Sequence, residues 1–188
     1  MELFENIRLK IGRAILSKKA SSTRRNKFYS SISIVRKIGI IWDASNASEF
    51  KVLTKFHQKM HQRGIEVEIL GYFPEKILPD QYTAVRYLSI IRRSELSYFY
   101  IPISKESKDF ISVTFDVLID VNTGKLLPLQ YILEMSRAGL KVGLSESSVD
   151  DSPHDMIMNI SPPVNIETYL NEVVEYLEMI NSDKSKIL

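Results

Sequence analysis

The sequence predicts a three-layer α/β fold on a mostly parallel sheet, with a helix added at the N-terminus. Three observations carry this reading. A short continuous apolar run at 38–42 reads as a strand buried on both faces, and further strands recur at 67–72 and 115–120. Segments with apolar residues at helical spacing separate them. The first strand, helix and second strand fit within about 35 residues, the size of a βαβ unit, whose crossover is almost always right-handed.

The elements follow in order. Residues 3–19 read as a helix, with Phe4, Ile7, Ile11, Ala14 and Ile15 on one face and Arg8, Lys10, Arg13 and Lys18 elsewhere. Gly12 lowers its intrinsic propensity. Residues 20–33 are rich in Ser, Lys and Arg without a period and read as a linker, with Phe28 and Tyr29 placed against the body. The strand at 38–42 ends in the polar turn Asp43-Ala44-Ser45-Asn46. Helix 48–63 presents Phe50, Leu53, Phe56 and Met60 to the core and stops at Gly64. A strand at 67–72 follows, then a third at 85–91, and a short helix at 104–112 opened by Ser104. The strand at 115–120 leads into the turn Val121-Asn122-Thr123-Gly124. A helix at 127–137, a strand at 140–143, an acidic Ser-rich loop at 145–155 and a strand at 156–160 complete the alternation. Pro162 and Pro163 break the chain, and Asn165 caps a last helix at 166–180, striped by Ile166, Leu170, Val173, Leu177 and Ile180. The pattern predicts an open, doubly wound sheet of Rossmann-like or flavodoxin-like type, with strand order 3-2-1-4-5-6.

Composition divides the chain into a basic helix and linker at 1–33 and an α/β domain at 34–188. Residues 1–37 hold ten Lys/Arg against Glu2 and Glu5, whereas the rest hold 15 basic and 21 acidic residues. Basic arms of this kind meet acidic partners, here membrane lipid, nucleic acid or protein, through Arg8, Lys10, Arg13, Lys18, Lys19, Arg24 and Arg25. The absence of cysteine removes disulfides, thiolate zinc sites and thiol nucleophiles, and suits a reducing compartment. No apolar run approaches the ~20 residues of a membrane span. Glu2 and Glu5 stand where a basic leader would be. The expected location is cytoplasmic, with attachment to the membrane periphery left open by the basic helix.

Asp43 and Asp120 form the sharpest pair, because each directly follows an apolar strand. If those strands are neighbours, the two carboxylates meet at the topological switch point, with Ser45, Asn46, Asn122, Thr123 and Gly124 lining the same crevice. They would then hold a cation or share a proton. Alternatively, each caps the turn that follows it. No G-x-G-x-x-G or Walker pattern occurs, and no cofactor is specified. His57 and His61 have helical i,i+4 spacing, but Gln58 replaces the Glu that a zinc-protease helix needs, so no metal site is predicted. His154 lies among Asp150, Asp151 and Asp155 and reads as solvated loop. Tyr98, Phe99 and Tyr100 read as packing under a loop, with base stacking as the alternative. The N-terminal helix lies on a membrane, binds nucleic acid or a partner, or folds back on the body.

The basic N-terminal helix, Gly39-Ile40-Ile41-Trp42-Asp43, the strand at 67–73, Phe115-Asp116-Val117-Leu118-Ile119-Asp120 and Ala138-Gly139-Leu140-Lys141-Val142-Gly143 together resemble an uncharacterised bacterial family, a domain of unknown function. The resemblance implies a cytoplasmic bacterial protein and supplies no activity. Residues 115–120, the following helix and Lys141-Val142-Gly143 are similar to the N-terminal half of heptosyltransferase-type glycosyltransferases. Those enzymes use a second Rossmann-like domain for the nucleotide sugar, so this similarity implies the fold rather than the reaction. The expectation is a non-catalytic binding or interaction module using the basic helix. The alternative is a small enzyme or a sugar- or nucleotide-binding protein using the Asp43–Asp120 crevice.

Overall fold

A computed structural model describes residues 2–83, 85–144, 152–160 and 165–180. Its sheet contains β1 (Lys37–Asp43), β2 (Glu66–Phe73), β3 (Leu88–Arg92), β4 (Val117–Asp120), β5 (Leu140–Leu144) and β6 (Met156–Met158). Their order is 3-2-1-4-5-6, and every adjacent pair is parallel. The helices are α1 (Glu2–Ala20), α2 (Phe50–Gln62), α3 (Lys105–Ser112), α4 (Leu127–Met135) and α5 (Ile166–Met179). Ser104 caps α3 through Ser107 N–H at 3.2 Å, and Asn165 caps α5 through Glu167 N–H at 2.8 Å.

Side-chain alternation along the strands builds two cores, as a sheet covered on both faces must. Ile38, Ile40 and Trp42 of β1 join Leu53 and Met60 of α2 and Tyr169 and Leu177 of α5. Ile41 points the other way, into a cluster with Leu16 of α1, Phe110 of α3 and Leu127 and Ile132 of α4. The strand predicted from 115 begins at Val117, because Asp116 turns its carboxylate to the N–H groups of Arg36 and Lys37 at 2.7 and 2.9 Å.

Of the stretch read as a linker, most of 21–27 is exposed, and the packing at Phe28 and Tyr29 extends to Ile32. Phe28 N–H donates to Gly139 O at 3.2 Å and Ile32 N–H to Leu177 O at 3.0 Å. Ser30, Ser31, Ile32 and Val35 are buried. Contacts to the sheet and α5 therefore cross the compositional division at residue 33. Residues 145–151, including Asp150 and Asp151, and the Pro162-Pro163 break lie outside the described residues. Among the described residues, no helix is long and apolar enough to cross a membrane.

Candidate functional site

β1 and β4 are neighbours with Ile41 opposite Asp120, so their carboxyl ends meet where the strand order reverses. Asn122 ties them together. Its Nδ2 donates to Asp120 Oδ1 at 2.5 Å and to Ile41 O at 3.2 Å, while its Oδ1 accepts from Asp43 N–H at 2.5 Å. The carboxylates themselves turn to separate partners. Asp43 Oδ1 accepts from Ser45 N–H at 3.1 Å and from the Ser45 hydroxyl, as in an Asx turn. Asn46 accepts from the Ser48 hydroxyl at 2.7 Å. Asp120 Oδ1 accepts from Asn122 N–H at 3.1 Å. Thr123 and Gly124 continue the exposed turn. Among the described residues, no three His, Asp or Glu side chains gather as a metal site. His57 stacks on Tyr87 with ring centroids 3.6 Å apart, and burial followed by the neighbouring His61 lowers its pKa.

The residue that sequence reasoning missed is His154. It is not solvated loop. Its Nε2 lies 3.1 Å from Asp120 Oδ2, and its Nδ1 lies 2.8 Å from the Ser152 hydroxyl. When Asp120 is a carboxylate and the ring is neutral, Nε2 donates to Asp120 and Nδ1 accepts from Ser152. An imidazole held in this way is positioned to take a proton from a hydroxyl. The ring lies across β5, where a Cβ added at Gly143 would come within 2.4 Å of Nε2. A glycine inside a strand marks such close approach, and Gly143 was the available signal. Beside the ring is a cavity of about 280 Å³, with polar groups from Asp120, Asn122 and His154 and apolar walls from Leu129, Leu133 and Leu144. Gly143→Ala is expected to move the His154 ring resonances in an NMR spectrum and to destabilise by about 1–3 kcal/mol in urea melts. Gly124→Ala, where an added methyl meets nothing within 4 Å, is the control expected to change neither.

A wider cavity of about 830 Å³ adjoins the first between α1, α4 and the connection to β6. Asp155 anchors its wall, accepting from Lys27 at 3.0 Å, from the Arg25 guanidinium and from Lys141 N–H at 2.9 Å. Burial opposes ionisation of Asp155, but the Arg25 hydrogen bond, the Lys141 N–H and Lys27 outweigh it and hold the carboxyl below its ordinary range. Lys141, on β5, is only 3% exposed and donates through Nζ to Glu134 O at 3.2 Å. Burial, then the nearby Arg25 charge, lowers its pKa to about 8.

α1 folds back on the body, but not by the predicted face. Gly12 and Leu16 are buried and Leu9 and Ile15 partly so, whereas Phe4, Ile7 and Ile11 are 70%, 46% and 40% exposed. The turn at 97–101 forms the dock. Tyr100 holds a left-handed φ of 61°, and a Cβ on Gly12 would meet Phe99 O at 2.3 Å. Of the aromatic cluster, Tyr100 is buried, whereas Tyr98 is 65% exposed. Arg8 lies over the rings of Tyr98 and Tyr100 at 4.2 and 4.5 Å and donates to Tyr98 O at 2.7 Å. Lys19 donates to the Tyr131 hydroxyl at 3.1 Å, and Arg25 is bound to Asp155. Lys10, Arg13, Lys18 and Arg24 remain exposed.

Comparison with curated proteins gives no match. A family match, by contrast, spans residues 8–180, from the docked part of α1 to the end of α5, and so takes in the basic helix, the whole sheet and both cavities. On that coverage the chain belongs to DUF6913, a family of unknown function.

Proposed function

We propose that this protein is a binding module that attaches to acidic lipid surfaces through the outer face of α1. One observation carries the reading: the helix docks by one face and leaves a second apolar stripe outside. Ile7 and Leu16 are nine residues apart, about two and a half turns at ~3.6 residues per turn, and therefore lie on opposite sides of the helix. Leu16 is 2% exposed, while Leu3 and Phe4 are both 70% exposed, with Ile7 and Ile11 continuing their stripe. A helix with apolar residues outside and Lys beside them fits the headgroup boundary of a bilayer.

Charge selects the occupant. Lys10 and Lys18 border the stripe, and Glu5 turns away toward the Tyr100 hydroxyl at 3.2 Å. Pairing with a second copy would bring these lysines together, and phosphodiester backbones offer nothing to Leu3, Phe4, Ile7 and Ile11. Anionic lipid satisfies both features.

The full chain is expected to sediment with phosphatidylcholine vesicles containing phosphatidylserine, much less with phosphatidylcholine alone, and to be released by salt. Each basic residue at an acidic surface contributes about 1 kcal/mol, so Lys10→Glu with Lys18→Glu should lower partitioning by at least about 30-fold. Ile7→Ser with Ile11→Ser should also abolish sedimentation, while melting as wild type does. Failure to sediment with acidic vesicles overturns the reading. So does a concentration-dependent dimer that the Ile7→Ser/Ile11→Ser variant dissolves, which would assign the stripe to a second copy.

A further inference from the structure

We infer that the two adjoining cavities form one bipartite site for the phosphomonoester of a small, partly apolar molecule. The inference uses the inner side of α1 and does not depend on what its outer face meets. The larger cavity is lined by Arg13, Arg25, Lys27, Lys125 and Lys141 against the two carboxylates of Glu134 and Asp155. Asp155 is already shared by Arg25 and Lys27, and Glu134 accepts from Gln130 at 2.8 Å. Lys125 apart, the described wall therefore sets four cations against two carboxylates. Lys141 is the acute case. Its amine has three donors, lies in the buried wall and, among the described residues, has one carbonyl, Glu134 O, as its hydrogen-bond acceptor. Asp155 and Glu134 offset its charge only in part, against Arg25 and Lys27, and an arriving dianion would supply further acceptors and charge together.

The second compartment specifies the rest of the ligand. It shares Lys125, Gln130, Ser152, Pro153 and His154 with the first, so the two are continuous past the histidine. Leu129, Leu133 and Leu144 accept an apolar or planar body, and Asp120 and Asn122 supply hydrogen-bonding groups at its end. Pockets of roughly 300–1,000 Å³ with apolar walls and a few convergent polar groups are the usual form of small-molecule sites. The larger compartment falls within that range. The carboxyl edge of an open parallel sheet, which the smaller compartment reaches at Asp120 and Leu144, is their usual place. The absence of a glycine-rich phosphate loop does not weaken the inference, because here the anion is met by side chains rather than by a helix N-terminus.

The test is titration calorimetry of the full chain with phenyl phosphate, inorganic phosphate and phenol. Phenyl phosphate should bind saturably and at least tenfold more tightly than inorganic phosphate, and phenol should give no heat. Lys141→Met should weaken phenyl phosphate at least tenfold. Lys27→Gln, at a side chain half exposed, should weaken it at least about tenfold, as loss of one charge-assisted hydrogen bond does. Leu133→Phe, which fills the apolar compartment, should bring phenyl phosphate down to the affinity of inorganic phosphate. Vesicles bearing phosphatidic acid should not compete, because the ligand proposed is soluble. Competition by them, equal binding by wild type and the folded Lys27→Gln variant, or no saturable binding at millimolar phenyl phosphate would each overturn the inference.

Discussion

Replacing Lys141 by Met is expected to stabilise the protein near neutral pH by about 1–3 kcal/mol, the range found when a poorly compensated buried charge gives way to an apolar side chain of similar size. The folded amine titrates near 8 rather than at its ordinary 10.5, because burial and then Arg25 disfavour its charged form. The sign of the pH effect follows. Between pH 8 and 10.5 the unfolded chain still holds the Lys141 proton that the folded chain has released. Folding stability therefore rises with pH through that window. Below it, the fold bears the whole cost of the buried charge, about 3 kcal/mol for a shift of this size. Urea melts from pH 7 to 10.5 on wild type and Lys141→Met should converge as pH rises, the difference between them removing other titrating groups. A constant difference across the window would show that Lys141 does not carry this cost. The same substitution is expected to gain stability and lose phenyl phosphate. That opposition is characteristic of a residue retained for binding rather than for the fold.

Gly12→Ala is expected to release α1 while leaving the sheet intact. The added methyl would stand 2.3 Å from Phe99 O, a backbone atom in a turn already held by Ser97 and by the left-handed Tyr100. Neither side can yield cheaply, so the cost should be about 1–3 kcal/mol. Leu16→Ala, which empties a buried site on the same face, should cost about 2–5 kcal/mol. Because both changes act by undocking one helix, the double variant should cost no more than the larger single one, rather than the sum. Trp42, the only tryptophan, sits in the opposite core with Phe50 and Tyr82, so its fluorescence should stay native in both variants. Amide exchange in α1 should accelerate at the same time. A change in Trp42 emission together with α1 would mean that the helix and the sheet unfold as one unit.

Much of this architecture was legible in the chain because its determinants are local. Strands buried on both faces need uninterrupted apolar runs, and 38–42 has one. Ser104 and Asn165 precede their helices with side-chain acceptors that satisfy nearby N–H groups, a relation that extends over three residues. The order of the strands is the doubly wound one expected from that alternation, though alternation and right-handed crossovers also allow other orders. The meeting of the ends of β1 and β4 was also foreseeable, since Asp43 and Asp120 end these strands, but the adjacent cavity is lined by Asp120, Asn122 and Gly124 and not by Asp43, Ser45, Asn46 or Thr123. The division of labour between Asp43 and Asp120 was not foreseeable. Asn122 joins their strands, and each carboxylate is then claimed by a different neighbour.

What tertiary structure alone decided depends on partners far away in sequence. α1 has apolar residues on two sides, so periodicity cannot say which one docks. The close approach of Phe99 O to Gly12 settles it in favour of the side bearing Leu16. Residues 152–155 read as a solvated segment because Ser, His and Asp are polar. They are held in place by Asp120, 34 residues from His154, and by Arg25, 130 residues from Asp155. Lys141 looks like an ordinary polar position in a short strand, and only the packing of α4 over β5 buries its amine. Local sequence specified the strands and helices because their hydrogen bonds and apolar periods close within a few residues. The charges that meet in the cavities were brought together only when burial excluded water between elements remote in the chain.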